Sequence, residues 1–98
     1  MAEVRITPAA KAHLLEIWSY TETTWGEAQA DSYLKEIGAA FAQLADNPLL
    51  GKARSEVGRG YRSLLVKSHV VFYTATDSKQ FVNIIGVLHA RMDVASHI

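Results

Sequence analysis

The chain opens on an alternation. Ala2, Val4 and Ile6 interleave with Glu3 and Arg5, the period of a strand with one buried face. Thr7-Pro8 then predicts a helix start: a threonine can cap free amides, and proline fits the first helical turn, where its missing N–H costs nothing. Ala10, Leu14, Ile17, Trp18, Thr21 and Trp25 follow at helical spacing, and Gly26 breaks the pattern. A second helical stripe begins at once with Ala30, Tyr33, Leu34, Ile37, Ala40, Phe41 and Leu44, and stops at Asp46-Asn47-Pro48. So short a link predicts an antiparallel helical hairpin.

Residues 47–60 contain Gly51, Gly58 and Gly60 and show no clean period, which predicts an irregular loop. Three β-rich runs come next, at 61–67, 69–76 and 81–88, the last two joined by the polar turn Asp77-Ser78-Lys79. Residues 89–98 carry no strong pattern. The order β-α-α-β-β-β, with helices grouped ahead of strands, predicts an α+β fold in which the hairpin packs on an antiparallel sheet, and not a parallel βαβ fold.

Composition narrows the class. At 98 residues one domain is expected, and 49% hydrophobic content excludes a disordered polar chain. A chain of this size buries about 60–65% of its unfolded surface, an adequate core without surplus. Cysteine is absent, so neither disulfides nor thiolate zinc sites arise. The opening residues lack a long apolar core, and no run approaches the roughly 18 apolar residues of a spanning helix; a soluble cytoplasmic protein is expected. The formal net charge of zero hides a dipole. Residues 8–47 hold two lysines against six carboxylates, whereas residues 48–67 hold Lys52, Arg54, Arg59, Arg62 and Lys67 against Glu56 alone. Such a basic segment attracts phosphates or an acidic partner, but a neutral whole is a poor general nucleic-acid binder.

Most catalytic patterns are missing. His13, His69, His89 and His97 show no pairing at helical metal-ligand spacing, and there is no HExxH. Gly58-Arg59-Gly60 is a fragment of a glycine-rich loop that fits a flexible turn better than a phosphate cradle. No GxSxG is present. Glu16, Glu22 and Glu36 fall opposite the apolar stripes, as solvated residues do. Trp18 and Trp25 lie on the apolar stripe of the first helix, where core packing is the first reading and a partner surface the second. One constellation stands out: Tyr61 and Arg62 open a strand, His69 and Tyr73 lie on the next, and His89, Arg91, Met92 and Asp93 follow the last. Antiparallel neighbours can bring some of these together. They are side chains that stack on bases, hold phosphates, move protons or anchor interfaces. Capping of the sheet end, with an Arg91–Asp93 ion pair, is the structural alternative.

In this order and spacing the residues resemble the ParE toxins of the ParE/RelE superfamily. The likeness is carried by Thr7-Pro8-Ala9-Ala10 with Leu14, Ile17 and Tyr20, by Trp25-Gly26, by Gln29-Ala30 and Tyr33, and by Leu44-Ala45 with Asn47-Pro48 and Gly51. It continues through Gly60-Tyr61-Arg62, His69 with Val71-Phe72-Tyr73, and Leu88-His89-Ala90-Arg91-Met92-Asp93. The resemblance implies a toxin that inhibits DNA gyrase and is neutralised by a ParD-type antitoxin wrapping a helical, partly disordered segment around it. It also implies promoter binding only through the antitoxin; no cofactor is expected, and the residues themselves give no reason to expect a metal or a membrane.

RelE-type relatives are instead ribosome-dependent endoribonucleases. Their positions would correspond here to Arg62 and to His89 or Arg91, but the lysines that complete such a set are not evident, so no catalytic residue is carried over. A degenerate toxin surviving as a non-toxic antitoxin-binding module is the other alternative. On this reading Trp18 and Trp25 are assigned to the antitoxin, because a small core leaves part of that helix poorly covered. Arg59, Tyr61, Arg62, His69, Tyr73, His89, Arg91, Met92 and Asp93 are assigned to the toxic or partner surface, with Lys52 and Arg54 adding positive charge to steer it.

Overall fold

The computed structural model describes residues 1–91. Strand β1 (Glu3–Ile6) leads into helices α1 (Pro8–Trp25) and α2 (Glu27–Asp46), followed by β2 (Lys52–Ala53), β3 (Tyr61–Val66), β4 (His69–Ala75) and β5 (Phe81–His89). The helix ends form where the sequence marks them. Thr7 accepts from the Ala10 amide at 3.2 Å while its hydroxyl donates to the Ile84 carbonyl at 2.9 Å, tying the start of α1 to the sheet. Gly26, at φ +96°, ends α1 and starts α2: its amide donates to Glu22 and its carbonyl accepts from Ala30. That left-handed backbone favours glycine and makes the corner between the helices possible with no intervening loop.

The five strands lie in the order β1-β5-β4-β3-β2. Two features depart from the expected antiparallel sheet. β1 joins the edge parallel to β5, with Val4 opposite Val82 and Ile6 opposite Ile84, so the sheet is mixed. Alternation in β1 fixes which face is apolar but not which neighbour it pairs or in which direction. Within the expected irregular loop, Lys52 and Ala53 pair with Ser63 and Arg62 to form β2, an edge strand too short to leave a period in the sequence.

The core lies between the hairpin and one sheet face and includes Ala10, Ile17, Ile37, Phe41, Leu44, Val71, Tyr73, Val82, Ile84 and Val87. A bulge sets the phase of β5. Phe72 pairs with Gly86 and Tyr73 with Ile84, which leaves Ile85 unmatched. The odd residue switches the inward set from Val82 and Ile84 to Val87, and therefore to His89 two residues on. Without it His89 would face away from the helices.

Candidate functional site

The assigned residues separate into two groups at opposite ends of β4. At the β2 end, Tyr73 is fully buried. Its hydroxyl accepts from the Gly51 amide at 2.8 Å and donates to the Pro48 carbonyl at 2.9 Å. Arg62 donates to the Gly51 carbonyl at 2.6 Å. Together they pin the turn that follows α2. Burial pushes the Tyr73 phenol above its usual range, against the opposing pull of the Gly51 amide and Arg62. Tyr73 is therefore withdrawn from the surface assignment, and Arg62 is a brace whose guanidinium is engaged inside the protein. Tyr61 is half-buried, with its ring lying against Gly58.

The basic segment is largely spent internally. Arg54 bonds Glu56 at 2.7 Å and Ser63 Oγ at 3.1 Å and lies over the Phe72 ring. Its guanidinium holds the exposed Glu56 carboxyl below the usual range. Lys67 faces Glu36 at 3.7 Å. Lys52 and Arg59 are exposed and have no ion pair among the described residues. The steering patch reduces to those two.

At the other end of β4, His69 stands opposite His89, with ring centroids 5.4 Å apart and the planes nearly perpendicular. Tyr33 reaches down from α2, its hydroxyl 2.6 Å from His69 Nδ1, and also accepts from the Ser68 amide. From α1, His13 Nδ1 accepts from the Val87 amide at 3.2 Å. The three histidines border a cleft of about 520 Å³ between α1 and the end of β5, floored by Ile17, Val87 and Leu88. An adjoining hollow of about 490 Å³ shares Tyr20, Thr21, His69 and His89 and extends to Trp25, Gln29 and Tyr33.

Tyr20 and Trp25 are each 71% exposed, so Trp25 leaves the core that its spacing suggested. Trp18 is half-buried, and its indole N–H donates to Asp31 at 3.0 Å, locking α1 to α2. Arg91 is exposed in the turn after β5, while Met92 and Asp93, with the expected Arg91–Asp93 pair, lie outside the described residues. Among the described residues no group of three or more acidic, histidine or cysteine side chains is placed to hold a metal. Tyr33, Tyr20 and His13 were not assigned from the sequence. Tyr33 and His69 are 36 positions apart, and each fits its own local pattern without the other.

Partial burial, with His89 adding a smaller effect, lowers the His69 pKa below its ordinary 6.5. The unfolded chain then takes up this proton first. The stability contributed by the neutral ring is complete above about pH 6.5 and is lost as pH falls through the lower folded value. A melting temperature that declines between about pH 7 and pH 5 is expected, with a shallower decline in His69→Asn, which keeps an acceptor near the Nδ1 position. Equal slopes in the two proteins would remove His69 from the cause.

The family described as ParE toxin of type II toxin-antitoxin system, parDE, matches residues 4–94. The chain belongs to the ParE toxin family. Toxin ParE1 of Mycobacterium tuberculosis is 45% identical over 89 residues, covering 91% of this chain and 90% of the relative. Toxin ParE1 of Caulobacter vibrioides is 38% identical, covering 100% and 99%. Among solved structures, the chromosomal ParDE toxin–antitoxin system of P. aeruginosa superposes with a TM-score of 0.77 over 91% of this chain and 96% of the other, at 18% identity, a likeness of fold. This ParE toxin thus has the α+β architecture expected for it, with an open aromatic and histidine cleft between α1 and the end of β5. No described helix is long and apolar enough to cross a membrane.

Proposed function

We propose that this ParE toxin acts in the cytoplasm by binding, as a single domain without cofactor, inhibiting DNA gyrase until a ParD-type antitoxin covers it. The observation that carries the antitoxin half is the cleft itself. Two aromatic side chains stand largely exposed beside a half-buried Tyr–His–His array, a combination that suits a partner helix laying its apolar face into a groove. Trp18 supports the site from behind by joining the helices, and Trp25 makes the contact. The toxic contact is assigned to Arg91 with Met92 and Asp93, while Lys52 and Arg59, toward the opposite end of the sheet, supply positive charge that steers the approach. Promoter DNA is met only through the antitoxin.

The ribosome-dependent nuclease reading is weakened by distance. Arg62 pairs with Tyr73, whereas His89 pairs with His69. Four residues of strand, about 13 Å, separate the two pairs, and Arg62 is already bound to Gly51. A base and charge-stabilising cations must all reach one phosphate, and among the described residues only Arg91 of the candidate cations is left beside His89. Purified toxin added to translating ribosomes is therefore expected to leave mRNA intact. Site-specific cuts lost in His89→Ala would replace binding with catalysis.

Cutting the chain after Arg91 tests the toxic surface while keeping His69, His89 and the Arg91 amide. The expected product folds, retains antitoxin and no longer inhibits supercoiling. A folded product of full toxicity would take Met92 and Asp93 out of the toxic surface.

A further inference from the structure

Three histidines border the cleft, and each uses Nδ1 inside the protein. The Val87 amide donates to His13 Nδ1 and the Arg91 amide to His89 Nδ1, both at 3.2 Å. A ring nitrogen that accepts carries no proton, so the neutral ring holds its proton on Nε2. At His69 the partner is the Tyr33 hydroxyl, which already accepts from the Ser68 amide. We assign its single proton to His69 Nδ1, the one hydrogen-bond acceptor it meets among the described residues, which gives His69 the same tautomer. The lowered pKa of His69 agrees with a neutral ring.

No described residue takes a hydrogen bond from any of the three Nε2–H groups. Nor does any buried side-chain nitrogen or oxygen among the described residues lack a partner, so these donors are open to water in the free toxin. A ligand that displaces that water must supply acceptors. A carboxylate makes the strongest such bonds, because its charge assists them, and it has two oxygens for two donors. His69 and His89 are direct cross-strand partners, with ring centroids 5.4 Å apart.

The surrounding charges select which end it uses. Glu16 borders the cleft on α1 beside His13. On the other side Glu36 of α2 is occupied by Lys67, and Arg91 lies two residues beyond His89. An anion is disfavoured at the His13 end and favoured at the His69–His89 end.

We propose that the His69–His89 end of the cleft binds a carboxylate on an apolar stem, an aspartate or glutamate side chain of the antitoxin segment, with the two Nε2–H groups holding its oxygens and Tyr20 beside the stem. This rests on the reading that the antitoxin fills the cleft. Recognition of the partner then depends on one acidic anchor as well as on apolar contact.

The test uses the full chain with labelled histidine rings, followed by nuclear magnetic resonance while phenylacetate is added, with phenylacetamide and benzylamine in parallel. Phenylacetate is expected to move the Nε2 resonances of His69 and His89 saturably and to move His13 less. Phenylacetamide should bind about tenfold more weakly, as the loss of charge assistance implies, and benzylamine should leave the rings unmoved. In His89→Gln, which keeps an N–H near the Nε2 position, phenylacetate affinity should stay within about threefold, and in His89→Leu it should fall about tenfold. No movement with phenylacetate, or equal movement with the amide or the amine, overturns the carboxylate site. Such a result would leave the antitoxin reading standing, because that reading is tested separately through Trp25 with intact antitoxin.

Discussion

Replacing Trp25 with alanine is expected to weaken antitoxin binding by at least about 30-fold while leaving the toxin folded. Its side chain stands exposed at the end of α1, beside Gln29 and Tyr33 at the rim of the cleft. An exposed substitution away from caps and cores usually changes stability by no more than about 0.5 kcal/mol. A tryptophan that becomes buried at the centre of an interface is worth about 2 kcal/mol or more, and each 1.4 kcal/mol is about tenfold in affinity. Binding by calorimetry and melting by circular dichroism separate the two quantities. Unchanged affinity would place the partner on another face. Trp18→Phe makes the contrast: it removes the 3.0 Å bond to Asp31 and should lower the melting temperature more than the affinity.

Tyr73→Phe is expected to act in the opposite sense, costing stability and sparing the partner. The substitution removes the hydroxyl that satisfies the buried Gly51 amide. An amide left unpaired in the interior costs about 1–3 kcal/mol. In a domain of this size each kcal/mol lowers the melting temperature by about 4–8 °C. Gly51→Ala attacks the same contact from the other side. An added Cβ would lie 2.6 Å from the Tyr73 hydroxyl and 2.7 Å from the Ser63 carbonyl, so the turn or the strand must shift. Overpacking of that kind costs about 1–3 kcal/mol. Both variants should bind antitoxin within about threefold of the parent, because the cleft lies at the far end of β4. A loss of binding without a loss of stability would return Tyr73 to the contact surface.

The helices were legible because their ends are local chemistry. Thr7-Pro8, Gly26 and Asn47-Pro48 each act within a turn of their own position, and α1 and α2 begin and end there. The strands were legible as runs but not as a sheet. Nothing in Glu3–Ile6 announces that it lies parallel to β5, and a two-residue β2 has no period to detect. The bulge was within reach of sequence reasoning: Gly86 interrupts the apolar run from Ile84 to Leu88, and a glycine inside a strand pattern suggests a bulge. It matters because it decides the face of His89.

The candidate site was legible in composition and misread in grouping. His69 and His89 do meet, but Arg62 and Tyr73, singled out in the same constellation, serve the turn after α2. The difference is a pairing with Gly51, which lies 22 positions from Tyr73 and shows no trace of the contact in its own neighbourhood. The basic segment misled for a related reason: counting charges does not reveal that Arg54, Arg62 and Lys67 are held by Glu56, Gly51 and Glu36.

The most direct measurement of the account is gyrase supercoiling with purified toxin, alone and with its antitoxin added in steps. Supercoiling should be inhibited by the toxin alone and restored as the antitoxin reaches stoichiometry, with Trp25→Ala toxin inhibiting equally but needing far more antitoxin for relief. Undiminished supercoiling at toxin concentrations that stop growth would contradict it, and would do so most sharply if the same preparation cut mRNA on translating ribosomes.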